Sequence, residues 1–196
     1  GILTIAAAGN DGFTNALSQP AATTGVVSVG AVYDSDIGPI TVKKIPCSDT
    51  TTETDKVTCF SNSASFLTLL APGAMITAAG IPMGGTSQAA PHVAGAVAVL
   101  RAAYPNETLD QTVARLTNGV TVTDSRNDIA KPRLNLPMAL GVNASCTYSL
   151  SETSKSFLSF SSSGSVAVTT GTGCTWNAAS TTGNSDWITV MSGSSG

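Results

Sequence analysis

An α/β domain followed by a smaller all-β module is the fold class that the sequence predicts, on three observations. Up to about Leu140, short apolar runs of β type alternate with helical patterns. These runs are continuously apolar, as expected of parallel strands covered on both faces. The stretch Ser87 to Tyr104 is almost all Ala and Val on every side, which predicts a buried helix. From Ser145 onward the chain turns Ser-, Thr- and Gly-rich with alternating apolar residues, the pattern of a separate β module. The expected division is therefore residues 1–142 and 143–196.

The predicted strands of the first part are Ile2 to Ala8, Val26 to Val32, Phe66 to Ala71 and Met75 to Ala78. Between the second and third, Asp34 to Lys56 is polar and charged, and reads as a surface excursion. In the helix that starts near Ser87, Pro91 falls in the first turn, where its missing N–H costs little. Pro105 then acts as the stop signal. A second helix, about Leu109 to Thr117, shows Leu109, Val113 and Leu116 at amphipathic spacing, with Gly119 closing it. In the last part, Ser165 to Thr169 and Trp187 to Val190 alternate as half-buried strands do.

Composition excludes several function classes. Charged residues are 11 % of the chain, the formal net charge is -3, and the 9 basic residues form no cluster. A phosphate-tracking surface needs clustered Lys and Arg, so nucleic acid is not an expected partner. The most apolar stretch, Phe66 to Met83, is broken by Pro72, Gly73, Gly80 and Pro82. No run reaches the roughly 20 residues that span a bilayer, so no membrane is expected either. The opening, Gly1 to Ala8, has no basic leader or cleavage pattern. It reads as a buried strand entered in mid-course, and the sequence is expected to be a fragment. Four cysteines fall as two local pairs, Cys47 with Cys59 and Cys146 with Cys174, without metal-type spacing. Two disulfides in an oxidising compartment are the expectation, and four unrelated buried thiols the alternative.

Two segments carry candidate chemistry. Gly84-Gly85-Thr86-Ser87 delivers a serine to the N-terminus of the buried helix, where free N–H groups and the helix dipole favour developing negative charge. An ordinary N-cap serine would look the same by spacing alone. Gly9-Asn10 follows the first strand, and Asn before Asp11-Gly12 is also a good turn former. The longer string Gly85-Thr86-Ser87-Gln88-Ala89-Ala90-Pro91-His92-Val93-Ala94-Gly95 resembles the nucleophile motif of the subtilisin-like serine proteases, the subtilases. Gly9-Asn10 resembles the segment with that family's oxyanion-hole asparagine. The run Val26 to Val32 and the turn Ala71-Pro72-Gly73 match the intervening strand and turn, in the right order. A weaker similarity continues through Arg133-Leu134-Asn135 to Leu140.

The resemblance implies a partial subtilisin-like parallel-sheet domain acting on peptide bonds, with Ser87 as nucleophile and Asn10 in the oxyanion hole. It implies a substrate-binding wall from Ala7, Ala8 and Gly9, from the loop Asp11 to Pro20 with Ser18 and Gln19 as candidates, and from Gly85 and Thr86. The expected partner is a polypeptide substrate, and the expected location is extracellular. No cofactor is evident, although the resemblance admits Ca²⁺; no dedicated calcium loop or metal-ligand set stands in the sequence. The family places its triad aspartate and histidine upstream of the segment matched here. The one histidine, His92, lies five residues after Ser87 on the same helix, so the two point about 140° apart; it reads as a packed histidine. The base and its aspartate are thus expected before Gly1, and residues 1–196 alone are expected to be inactive.

The tail has a resemblance of its own. Cys146-Thr147-Tyr148, Gly173-Cys174-Thr175-Trp176 and Asp186-Trp187-Ile188-Thr189-Val190 look like a BACON-type β-sandwich module, cut short at Gly196. Such a resemblance implies carbohydrate or glycoprotein as a partner, with Trp176 and Trp187 either stacking on sugars or buried in a core. Two rival readings follow: a non-catalytic scaffold, and a carbohydrate-binding protein whose role sits in the tail.

Overall fold

The structure, a computed structural model, describes residues 1–42, 45, 47–142, 148–157, 163–170, 176 and 178. It divides into two units, Gly1–Leu140 and Gly141–Gly196.

In the first unit, β1 (Ile5–Ala7) and β2 (Val27–Val32) pair in parallel, with Ile5 opposite Val27 and Ala7 opposite Val29. A small antiparallel hairpin follows, β3 (Ile40–Val42) with β4 (Cys47–Asp49). β5 (Leu69–Pro72) then returns to the parallel sheet on the other side of β2, giving the order β1-β2-β5. Every residue of β2 is buried. Side chains alternate across a strand, and here each face meets a core. Val27, Val29, Ala31, Leu69 and Ala71 join one cluster, whereas Ala6, Val32 and Leu70 join the other. Two covered faces explain the continuously apolar strand pattern.

Beyond β5 come a hairpin, β6 (Ile76–Ala78) with β7 (Ile81–Met83), and then α1 (Thr86–Ala103). The stretch Met75 to Ala78 is therefore not a further buried strand: β6 pairs antiparallel with β7, and Thr77, Ala78 and all of β7 are exposed. Ala79 and Gly80 both have positive φ, 50° and 77°, which is what a two-residue hairpin turn matching the strand twist requires. The first strand is also shorter than expected, since Ile2 is 94 % exposed and pairing starts at Ile5.

The helix departs from expectation in a more informative way. α1 buries a single stripe, Thr86, Ala89, Val93, Ala96 and Leu100, against the sheet. Pro91, His92, Ala94, Gly95, Ala98 and Val99 are exposed. A helix of small residues carries almost no periodic signal, so its sequence cannot say which face the sheet covers. His92 is accordingly not packed in a core; its Nδ1 lies 2.8 Å from the carbonyl of Gln88 one turn back.

α2 (Leu109–Thr117) begins with a capping box, in which Thr108 and Gln111 each bond the other's backbone N–H. Thr112 and Leu116 are its buried residues. The hairpin of β8 (Thr121–Asp124) with β9 (Ile129–Pro132) and the short α3 (Leu136–Ala139) complete the unit. Arg115 ties the helices together: its guanidinium takes the Glu107 carboxylate, donates to the Ala139 carbonyl, and stacks 3.6 Å from the centroid of Tyr104.

The excursion Asp34 to Lys56 is anchored rather than loose. Cys47 and Cys59 form a disulfide, their Cα atoms 5.6 Å apart. Beside it the buried Asp49 accepts from Tyr33 Oη at 2.8 Å and from the Cys59 N–H at 2.8 Å, and pairs with Lys56. Burial first, then the bond to Asp49, raises the Tyr33 phenol far above its ordinary value.

In the second unit, β10 (Tyr148–Leu150) pairs antiparallel with β11 (Val168–Thr170). Cys146, Cys174 and the expected strand Trp187 to Val190 lie outside the described residues.

Candidate active site

Ser87 stands exposed at the second position of α1. The approach to it is fixed by backbone contacts. Gly85 donates to the carbonyl of Gly73 at 2.7 Å, so the helix start is pinned to the end of β5. A Cβ on Gly73 would lie 2.7 Å from Ala31 Cβ and 2.9 Å from the Gly85 carbonyl, and this close approach admits no side chain. No side chain caps the helix at Gly85. Ser87 is in the first turn, so its N–H has no partner within the helix.

The strand β1 brings the second segment to the same place. Gly9 has φ 106°, and a Cβ there would collide with Ser18 Oγ and Asn62 Nδ2. The chain bends just after this glycine, at Asn10 and Asp11, and Asn10 meets the helix start 76 residues away in sequence. Asn10 Oδ1 accepts from the Thr86 N–H at 2.8 Å and from Thr86 Oγ1 at 2.9 Å. The Thr86 hydroxyl in turn accepts from the Gly9 N–H at 3.1 Å. These bonds settle the orientation of the amide. A backbone N–H can only donate, so the atom facing Thr86 must be the oxygen. The Asn10 NH₂ lies close to Gly85 at the start of the helix, and no acceptor takes it among the described residues.

The other expected wall residues serve the loop itself. Ala8 is fully buried, and its carbonyl accepts from Ser18 N–H and Asn62 Nδ2. Ala7 is half-buried in β1. Ser18 Oγ donates to Asp11 and accepts from Asn62, while Gln19 Oε1 accepts from Thr23. The structure thus brings Asn10, Gly85, Thr86 and Ser87 to one place. It shows Ser18 and Gln19 bonded within their own loop.

Sequence reasoning missed Asn62, which lies at the centre of that loop. It also missed Arg126, whose guanidinium donates to the carbonyls of Cys59 and Ser61 just before Asn62, at 2.7 and 2.8 Å. Neither residue stands in a local motif, so no signal of spacing could have marked it. Among the described residues no group of three or more His, Cys, Asp or Glu side chains is placed to hold a metal. Among the same residues, no helix is long and apolar enough to cross a membrane.

A parallel sheet thus brings the Asn10 amide onto the helix start that carries the exposed Ser87. Residues 1–135 match the subtilase family, and the chain belongs to it. Among curated relatives, an extracellular serine proteinase of Thermus sp. (strain Rt41A) is 34 % identical over 123 residues, 59 % of this chain and 25 % of its own length. Subtilisin of Bacillus pumilus is 31 % identical over 148 residues, 71 % of this chain and 46 % of its own. The chain spans less than half the length of these relatives. Among solved structures, the patellamide maturation protease PatA aligns with TM-score 0.52 and 28 % identity, over 72 % of this chain and 51 % of its own. A protease of Pseudoalteromonas arctica PAMC 21717 has the same fold, with TM-score 0.53 and 23 % identity over 72 % of this chain and 42 % of its own.

Proposed function

We propose that the protein is a secreted serine endopeptidase in which Ser87 is the nucleophile and Asn10 stabilises the oxyanion. The observation that carries this reading is the Asn10 amide, whose oxygen is held by Thr86 while its NH₂, beside the start of α1, has no acceptor among the described residues. Ser87 Oγ attacks the scissile carbonyl carbon as its proton passes to a histidine. The carbonyl oxygen becomes an oxyanion that receives hydrogen bonds from Asn10 Nδ2 and the Ser87 N–H. The intermediate collapses to an acyl-enzyme as the histidine protonates the leaving amine, and water then releases the acid and regenerates Ser87.

We assign the general base, and the aspartate that orients it, to residues outside Gly1–Gly196. The sole histidine of this sequence, His92, bonds to its own helix and lies on the exposed face. Ala7 and Gly9, both partly exposed, give the backbone along which a peptide would lie, whereas Ala8, Gly85 and Thr86 are buried. The Cys47–Cys59 disulfide supports an oxidising, extracellular setting. The rival readings, a non-catalytic scaffold or a carbohydrate-binding protein, have no observation in their favour among the described residues.

The test is to treat the intact natural protein with a fluorophosphonate and map the adduct by mass spectrometry. The expected result is a single modified serine, Ser87, together with cleavage of a casein substrate that Ser87→Ala lowers by about 10⁶-fold, the scale measured for this change in a subtilisin. An unmodified Ser87 and no cleavage would mean that the fold serves only as a scaffold.

A further inference from the structure

We infer that Asn62 is the positioning residue of the oxyanion site: it sets where the Asn10 amide stands, without touching substrate. The inference rests on the reading of Asn10 just proposed. Asn62 is fully buried, between β4 and β5 in sequence and far from Asn10 along the chain. Its Oδ1 accepts from the N–H of Asp11 and the N–H of Phe13, each at 3.0 Å. Its Nδ2 shares two hydrogens among three acceptors, the Ala8 carbonyl at 3.2 Å, Asp11 Oδ2 at 3.1 Å and Ser18 Oγ at 3.1 Å. Its own N–H donates to the Gly9 carbonyl at 3.0 Å.

The loop that carries Asn10 is therefore gripped on both sides of it, at residues 8, 9, 11 and 13, by one residue. Asn10 itself is left to Thr86. Two anchors fix the amide: Thr86 holds its oxygen, and Asn62 holds the backbone from which it projects. No other side chain fits the second task. Asn offers an acceptor and two donors within one short planar group. Asp has the same shape but cannot donate, and it would place a carboxylate against the Ala8 carbonyl and the Asp11 carboxylate. Ser is too short to reach both the Asp11 and Phe13 amides.

The glycine before Asn10 tightens the argument. A Cβ at Gly9 would collide with Asn62 Nδ2 itself, so the loop backbone rests directly on this side chain. Arg126 secures the anchor from behind through the Cys59 and Ser61 carbonyls. A displacement of the loop moves the oxyanion donor relative to Ser87, and misplacements of about 1 Å at a reacting centre cost about 10²-fold.

The experiment is a double-mutant cycle on kcat in the intact natural protein, with the concentration of competent sites counted by fluorophosphonate titration. Asn62→Asp is expected to lower kcat per titrated site by about 10- to 10²-fold with KM changed less than about threefold. In the Asn10→Ala background the same substitution is expected to change kcat by less than about twofold, since the donor it positions is gone. Should Asn62→Asp yield no soluble protein, Asn62→Ser, which keeps a small neutral side chain, takes its place in the cycle. Equal losses in both backgrounds would overturn the inference and leave Asn62 a purely structural residue. If Asn10→Ala alone leaves kcat unchanged, or the intact protein shows no Ser87-dependent cleavage, the parent reading fails and this inference fails with it.

Discussion

The hydroxyl of Thr86 is used twice, as acceptor for the Gly9 N–H and as donor to Asn10 Oδ1. Thr86 was expected only to line a substrate path, yet it is fully buried and links the two segments of the site. Thr86→Val keeps the shape and removes the hydroxyl, leaving the Gly9 N–H unpaired. The expected loss is about 1–3 kcal/mol of stability, read by urea denaturation of the 196-residue chain. The Thr86 N–H still holds the Asn10 oxygen, so kcat of the intact protein should fall by about tenfold or less, short of the 10²–10³-fold measured when such a donor is deleted in a subtilisin. An unchanged stability would show that Gly9 finds another partner. Asn10 and Ser87, which the structure brings to one place, could be proposed from the sequence because each sits in a local string, the one at a glycine turn and the other at a helix start. Asn62 was not, because its side-chain bonds cross 44 to 54 residues, and no local pattern records a contact that distant.

For elements, the same contrast separates the strands from α1. Continuous Val, Leu and Ala in β2 and β5 announced a sheet covered on both faces, and the two clusters confirm it. The small residues of α1 announced burial on every side, whereas only the stripe from Thr86 to Leu100 is covered. Ala and Gly sit well in a tight interface and are equally tolerated in water, so composition overstates how much of the helix is packed. Two substitutions separate the faces. Leu100 is 1 % exposed, and Leu100→Ala should cost about 2–5 kcal/mol through lost contacts and a cavity. Val99 is 42 % exposed, and Val99→Ala should stay within about 0.5 kcal/mol. Denaturation midpoints of the two variants in this chain check the pair, and similar losses at both positions would place a partner on the exposed face. The hairpin β6–β7 escaped the sequence reading for a related reason. Its apolar residues match a buried run, and only the positive φ of Ala79 and Gly80 reveals the reversal.

The whole first unit is held together by polar staples as well as by its two cores, and the staple at Asp124 gives it a dependence on acid. Asp124 is 2 % exposed. Burial alone would raise its carboxyl, but the side-chain and backbone hydrogen bonds from Arg126 outweigh burial and hold it below the ordinary value. The guanidinium that pairs with it also donates to the Cys59 and Ser61 carbonyls, so this ion pair fastens the β8–β9 hairpin to the segment carrying Asn62. A carboxyl depressed in the native state contributes stability that is complete above its unfolded value, about 4. That contribution is lost as pH falls through the lower native value. Asp36 and Glu107 shift in the same direction, the first chiefly through the Gly38 N–H and the second through Arg115. Stability of the chain should therefore decline below about pH 4. Asp124→Asn should be less stable at pH 7, because Arg126 then faces a neutral partner, and its decline in acid should be shallower though not absent. Urea midpoints between pH 2 and 7 for both proteins measure the two slopes. Parallel curves would mean that Asp124 binds its proton alike in the folded and unfolded chain, and that the hairpin is fastened by the carbonyl bonds of Arg126 alone.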